Sequence, residues 1–117
     1  MTSIFVYGTL KTGQVRHFYL AGEGARFLGE ARTAPQYALF QPPQGDYPCL
    51  VEVAQDGQAI EGELWDVPDA GLQILDEVEG APDLFQRRNI TLADGREVQA
   101  YLMPERPRFA RRLGCRW

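Results

Sequence analysis

Ile60-Glu61-Gly62-Glu63-Leu64-Trp65-Asp66-Val67, followed at once by Pro68-Asp69-Ala70, is the stretch on which the reading of the fold turns. As a strand it sends Ile60, Gly62, Leu64 and Asp66 to one face and Glu61, Glu63, Trp65 and Val67 to the other, the pattern of a partly solvated strand. At Pro68-Asp69 the period changes. Asp69 is a candidate cap, and Ala70 to Val78 continue as a helix. Upstream, Leu50–Val53 reads as a strand joined to Ile60–Val67 through the hairpin signal Asp56-Gly57. Phe27–Arg32 and Tyr37–Phe40 are further strands, punctuated by Pro35, Pro42-Pro43, Gly45 and Pro48. Ile4-Phe5-Val6-Tyr7 is a short β-branched and aromatic run that Gly8 ends. Lys11-Thr12-Gly13 is turn-like, and Gln14 to Leu20 fit a helical turn or two. Downstream, Phe85–Leu92 and Glu97–Met103 form a pair joined by Asp94-Gly95. About seven short strands and one main helix predict an α+β, strand-dominated fold: a small closed or nearly closed mixed β-barrel with short peripheral helices.

Composition narrows the function classes. The chain has 117 residues, 24% of them charged, with 12 basic and 16 acidic side chains and a net charge of −4. That is one ordinary domain, and its acidity argues against a nucleic-acid partner. No apolar run approaches the roughly 18 residues of a membrane span, and Met1-Thr2-Ser3-Ile4-Phe5-Val6 lacks the features of a secretory signal. Two cysteines, Cys49 and Cys115, fit a reduced, cytoplasmic setting better than a disulfide scaffold. With the single His17 they make no four-ligand zinc site unless carboxylates join them. Charge is uneven: Asp46 to Asp83 hold eleven acids and no Lys or Arg, while Arg106 to Trp117 hold five arginines and no acid. The expected organisation is a domain over residues 1–105 and a basic C-terminal tail over 106–117. That tail would lie over the acidic surface, with recruitment of RNA or phosphate as the rival reading. Phe109, Leu113 and Trp117, four residues apart, would alternatively dock it as an amphipathic helix.

Two segments carry chemistry. On a helical wheel, Asp76 and Glu77 fall outside the sector of Leu72, Ile74, Leu75 and Val78, whereas Glu79 falls inside it beside Leu72 and Leu75. A buried carboxylate is paired, protonated or used, and a desolvated Glu suits acid/base work near neutral pH. Periodicity leaves another fate open, in which the helix frays at Gly80 or Glu79 pairs with Arg87 or Arg88. The second segment is Tyr7-Gly8-Thr9-Leu10-Lys11. A strand ending at Gly can present successive N–H groups to an anion and lets a ligand approach closely, although an ordinary turn has the same sequence.

Tyr7-Gly8-Thr9-Leu10 in the first strand, with Leu75-Asp76-Glu77-Val78-Glu79-Gly80 and then Leu84-Phe85-Gln86-Arg87-Arg88, resembles the γ-glutamylcyclotransferase superfamily, and within it the γ-glutamylamine cyclotransferase branch. Tyr47-Pro48 before an apolar strand and Ile60–Trp65 leading into the helix are similar to family features, so the resemblance runs from about residue 3 to residue 103. It implies a small β-barrel enzyme that uses no metal or organic cofactor. It also implies that Tyr7, Gly8, Thr9 and Leu10 form the substrate-binding loop and that Glu79 is the catalytic acid/base. The implied partner is a small-molecule γ-glutamyl amine or peptide, cyclised to 5-oxoproline. Val78 and Phe85 depart from the aromatic residue and the Tyr frequent at those places, and both bear on the substrate rather than the chemistry.

Other signals are weaker. Ser3 and His17 lack a Gly-x-Ser-x-Gly elbow, and Gly22-x-Gly24 lacks the third glycine of a dinucleotide fingerprint. Gly8 to Thr12 share only the Lys-Thr end of a phosphate loop. Cys49 reads as a packed thiol. The rivals to an enzyme are a catalytically silent barrel that binds a γ-glutamyl or carboxylate ligand, and an interaction module built on the arginine tail.

Overall fold

The computed structural model describes residues 1–22 and 24–117. Its strands are β1 (Thr2–Val6), β2 (Arg26–Arg32), β3 (Tyr37–Gln41), β4 (Cys49–Glu52), β5 (Glu61–Val67), β6 (Gln86–Thr91), β7 (Glu97–Leu102) and β8 (Arg111–Arg112). Two helices, α1 (His17–Ala21) and α2 (Asp69–Val78), accompany them. The strands form one sheet in the order β2-β5-β1-β7-β4-β3-β8, with β6 also on β7. Most pairs are antiparallel, but β1 and β4 both run parallel to β7. The result is a curled, mixed half-barrel, and the bridge Thr33↔Leu92 draws its ends together.

Alternation along the strands supplies two apolar cores. Phe5, Leu39, Leu50, Leu64, Ile90 and Leu102 fill the concave side. Ile4, Val6, Phe40, Val51, Trp65 and Tyr101 face the helices, where Leu20 of α1 and Leu75 of α2 cover them. The mixed character of β5 follows directly: Leu64 enters one core and Trp65 the other, while Glu61 and Glu63 stay half-buried at the rim.

Near residue 4 of the chain β1 lies against Gln99 of β7, whereas β4 meets β7 at Leu102. The two strands therefore share one edge of β7, and a seam opens between them. Tyr7 closes it. Its hydroxyl donates to the Tyr101 carbonyl at 2.6 Å and accepts the Leu50 N–H at 3.2 Å.

Three expectations are corrected. Asp56-Gly57 does not close a hairpin between the segments it separates, because β4 lies between β3 and β7 while β5 lies between β1 and β2. The turn instead leads Gln58 back onto Tyr37, whose carbonyl accepts the Gln58 N–H at 2.7 Å. Asp69 is not the cap of α2: Pro68 takes that place with extended backbone and no side-chain cap bond, so Asp69 sits in the first turn, where its charge complements the helix dipole. The C-terminal segment is not a helix. It contributes β8 to the edge of β3, the Leu113 N–H donates to the Leu39 carbonyl at 2.8 Å, and the Cys115 carbonyl accepts the Glu61 N–H at 2.8 Å. Ala110 is buried and Phe109 exposed. Among the described residues no ion pair ties this segment down; the backbone bonds do, together with exposed side-chain bonds from Arg111 to Gln41 and from Arg112 to the Asp56 carbonyl. Two consecutive arginines give no apolar alternation, so the sequence offers little sign of a strand there.

Candidate active site

Glu79 sits at the C-cap of α2, and local structure holds it there. Its N–H donates to the Leu75 carbonyl at 2.9 Å, then Gly80 N–H reaches Glu77 O at 3.1 Å and Ala81 N–H reaches Asp76 O at 2.9 Å. These paired bonds are a Schellman motif, which requires a left-handed residue just past the helix. Gly80 supplies it with φ of 65°. The helix thus stops cleanly rather than fraying. The buried positions of the helix, Gly71 and Leu75, continue through Glu79 at intervals of four residues, so the carboxyl follows the apolar stripe into the protein and is only 8% exposed.

The alternative partners of Glu79 are engaged elsewhere. Arg87 Nε donates to Asp76 Oδ1 at 2.9 Å and Arg87 Nη2 to Asp76 Oδ2 at 3.2 Å. The Tyr101 hydroxyl also donates to Asp76 Oδ1, at 2.6 Å, and Arg87 Nη1 donates to Gln99 Oε1 at 2.6 Å. Arg88, next along β6, is exposed. Among the described residues neither a hydrogen bond nor an ion pair reaches the Glu79 carboxylate. Burial consequently pushes its pKa up from 4.5 to about 7, with the charge of Arg16 acting in the opposite direction. A position at the negative end of a helix adds to the cost of ionisation.

A cleft of about 370 Å³, its open mouth included, brings Glu79 together with Tyr7, Gly8, Thr9 and Leu10. Arg16, Tyr47, Pro48, Phe85 and Tyr101 also line it. The loop after β1 is fixed from several sides. Lys11 N–H donates to Gly8 O at 3.1 Å, Arg16 N–H to Thr9 O at 2.9 Å, and His17 Nδ1 lies 2.9 Å from Leu10 O. Glu63 Oε1 accepts both the Thr12 N–H and the Trp65 indole N–H. The N–H groups of Gly8, Thr9 and Leu10 donate to no acceptor among the described residues. Since nearly all buried backbone donors are paired, three consecutive unpaired ones in a cleft form a ready cradle for an anion or a carbonyl oxygen.

The four loop residues contribute differently. Tyr7 brings its ring, because its hydroxyl is committed to the seam between β1 and β4. Gly8 is needed for a reason other than ligand approach: a Cβ there would lie 2.5 Å from Cγ and 2.8 Å from Cδ of Pro48. Its missing side chain makes room for the proline of the facing loop. Thr9 is a buried polar residue, and Leu10 packs in the core beside the helices. Arg16 and Tyr101 were not singled out from the sequence. Arg16 comes to the cleft where its N–H closes the loop onto Thr9, and Tyr101 sits in the apolar run Ala100-Tyr101-Leu102-Met103, which reads as core. Cys49, buried behind the cleft, is pushed up to about 12 by burial and by the Glu79 charge, and so remains a neutral thiol.

A wider depression lies elsewhere on the surface, lined by Lys11, Glu30, Glu61, Glu63, Asp94 and Arg96 among others. It mixes both signs of charge, and its one desolvated group is Lys11, whose pKa burial lowers. The smaller cleft is the candidate site because it holds Glu79, the one buried carboxyl among the described residues. Among the described residues no group of three or more His, Cys, Asp or Glu side chains is placed to hold a metal ion, and no helix is long and apolar enough to cross a membrane.

Comparison with known proteins shows the family and the fold. Gamma-glutamylaminecyclotransferase of Bos taurus is 38% identical over 96 residues, covering 80% of this chain and 57% of the relative. Gamma-glutamylaminecyclotransferase A of Danio rerio is 39% identical over 93 residues, covering 77% and 58%. The chain thus spans less than three-fifths of the length of either curated relative. The crystal structure of an AIG2-like protein from Mus musculus superposes with a TM-score of 0.80 at 29% identity, over 88% of this chain and 77% of that one. The model of the family "Gamma-glutamyl cyclotransferase, AIG2-like" matches residues 4–117 and so includes the arginine-rich segment with β8. The chain is a member of that family.

Proposed function

We propose that this chain is a cyclotransferase that converts a γ-glutamyl amine or peptide to 5-oxoproline and a free amine, with Glu79 as its general acid/base. One observation carries the reading: a buried carboxyl whose pKa burial raises to about 7 lines the same cleft as three consecutive residues whose N–H groups have no acceptor among the described residues. A catalytically silent binder would have no use for so costly a group, whereas proton transfer near neutral pH works best with a pKa close to the working pH.

The substrate's α-nitrogen is tethered to its own γ-carbonyl carbon. Binding in the ring-closed shape therefore supplies the proximity that an intermolecular attack would lack. Glu79, ionised, takes a proton from the α-ammonium, and the freed lone pair forms the new C–N bond. The carbonyl π electrons move onto oxygen, where N–H groups of Gly8 to Leu10 can stabilise the developing charge or hold the α-carboxylate beside it. As the carbonyl re-forms, the bond to the leaving nitrogen breaks and its electron pair takes the proton that Glu79 carries. Over the whole reaction the α-nitrogen gives up two protons. The leaving nitrogen gains two when it departs as an ammonium, so one carboxylate can serve as both base and acid. The two free thiols fit a reducing, cytoplasmic setting.

The test is direct. Incubation of the purified protein with a panel of γ-glutamyl amines and dipeptides should yield 5-oxoproline and amine in equal amounts. A chain that binds these compounds and never releases 5-oxoproline is a binder, and the enzymatic reading fails.

A further inference from the structure

Arg16 is the one basic side chain lining the cleft, opposite the one acid, Glu79. Its backbone is anchored, since its N–H donates to Thr9 O and its carbonyl accepts the Tyr19 N–H at 3.1 Å. Its guanidinium has no hydrogen-bond or ion-pair partner among the described residues; Arg32, Arg88, Arg108 and Arg116 share that freedom, but Arg16 alone among the arginines lines the cleft. A free guanidinium offers five donors in a fork that matches a carboxylate. The field of Arg16 reaches both Glu79 and Tyr47.

Depth within the cleft decides which carboxylate it would meet. Gly8, Thr9, Leu10, Pro48 and Glu79 are buried, while Arg16 and Tyr47 are only half-buried. The reacting glutamyl group must lie at the floor, against Glu79 and the unpaired N–H groups. The amine to be expelled then points toward the mouth, where Arg16 waits. Besides Arg16, the only charged side chain lining the cleft among the described residues is Glu79. Without Arg16 an anionic leaving group would be repelled there.

Resting on the cyclotransferase reading, we infer that Arg16 is a specificity-determining residue that selects γ-glutamyl donors whose leaving amine carries a carboxylate. The substrate class is then γ-glutamyl amino acids in preference to γ-glutamyl alkylamines or diamines.

Three probes that share the glutamyl group test this: γ-glutamylglycine, its neutral counterpart γ-glutamylglycinamide, and the cationic γ-glutamyl-1,4-diaminobutane. The wild-type protein should favour the first in kcat/KM. Arg16→Gln should lower kcat/KM for γ-glutamylglycine by about 10- to 100-fold, the value of one charge-assisted contact. The glycinamide should lose at least about 5-fold less, because any effect of the lost Arg16 charge on Glu79 falls on both probes alike and the difference between them reads the carboxylate contact. The thermal midpoint should hold, because the side chain has no partner in the fold among the described residues. Arg16→Lys should restore part of the loss, since it keeps the charge without the fork. Equal losses on all three probes would overturn the inference, because Arg16 would then hold the glutamyl part that they share. Unchanged selectivity in Arg16→Gln would overturn it as well. In either case 5-oxoproline release from the probes leaves the proposed reaction standing. Release from none of them, with the protein folded, removes the reaction and the inference together.

Discussion

Asp76 and Glu79 lie one helical turn apart on α2, and their surroundings assign them opposite tasks. Asp76 points to the sheet, accepts two bonds from Arg87 and one from Tyr101, and pins the helix to β6 and β7. Glu79 follows Gly71 and Leu75 into the protein, meets no partner among the described residues, and titrates near 7. In the proposed reaction the two carboxylates serve as a clamp and a proton carrier, because one is paired and the other is only desolvated. Each depends on the other, since the bonds made by Asp76 fix the turn on which Glu79 is mounted and occupy the arginine that would otherwise neutralise it.

The sharpest way to break the contrast is Glu79→Gln. Gln keeps the volume but carries no proton, so 5-oxoproline release should fall by about 100-fold or more. The same change should stabilise the fold in alkaline conditions. In the folded state Glu79 holds its proton up to about pH 7, whereas unfolded it releases it near 4.5. Folding therefore takes up a proton between those values, and wild-type stability falls as pH rises through that window. Above it the ionised carboxylate costs the fold about 3 kcal/mol, and below it nothing. Thermal melts against pH should show the Gln variant gaining on the wild type only as pH rises above 4.5. A constant offset at every pH would mean that the carboxyl is solvated.

Next in size is removal of the clamp. Asp76→Ala deprives Arg87 and Tyr101 of their acceptor and should cost about 2 kcal/mol in denaturant melts. Activity should drop in proportion to the displacement of α2, with the acid limb of the pH profile moved because Arg87 is free to approach Glu79. Tyr7→Phe should cost a similar amount, about 1–3 kcal/mol, by leaving the Leu50 N–H and the Tyr101 carbonyl unpaired in a buried seam. A variant as stable as the wild type would show that the hydroxyl does not hold that seam. Gly80→Ala, which forces a side chain into the left-handed region with its Cβ 3.2 Å from Cβ of Leu84, should cost about 1–2 kcal/mol. The smallest effect belongs to the arginine pair. Arg111→Gln with Arg112→Gln should shift stability by less than about 0.5 kcal/mol at either low or high salt, because β8 is held by backbone bonds and the bonds that the two side chains donate to Gln41 and to the Asp56 carbonyl are exposed. A loss that shrinks with salt would restore the electrostatic docking expected from composition.

The sequence made some of this legible and hid the rest. Helical period alone placed Glu79 among the apolar residues of α2, since burial repeats every three to four residues whatever the tertiary context. It could not reveal that Arg87 faces Asp76, because that depends on the register of β6 beside the helix. Alternation located β1 to β7 within a residue or two. It did not show which strands neighbour one another, so Asp56-Gly57 looked like a hairpin although both flanking strands have their edges filled by others. The loop of residues 7–10 was found through its glycine, yet the need for that glycine comes from Pro48, which lies forty residues away. Arg16 had no signal of its own. A charged residue in a turn looks like any solvated one until the backbone bond to Thr9 folds it over the cleft.

The central claim is the ionisation of one carboxyl, and a ¹³C NMR titration of the glutamate side-chain carboxyls, with Glu79→Gln to identify the resonance, measures it most directly. The account predicts that one carboxyl titrates with a midpoint near 7 and that this signal is missing from the Gln variant. A Glu79 midpoint close to 4.5 would contradict it, showing a solvated or paired carboxylate with no reason to act as both base and acid.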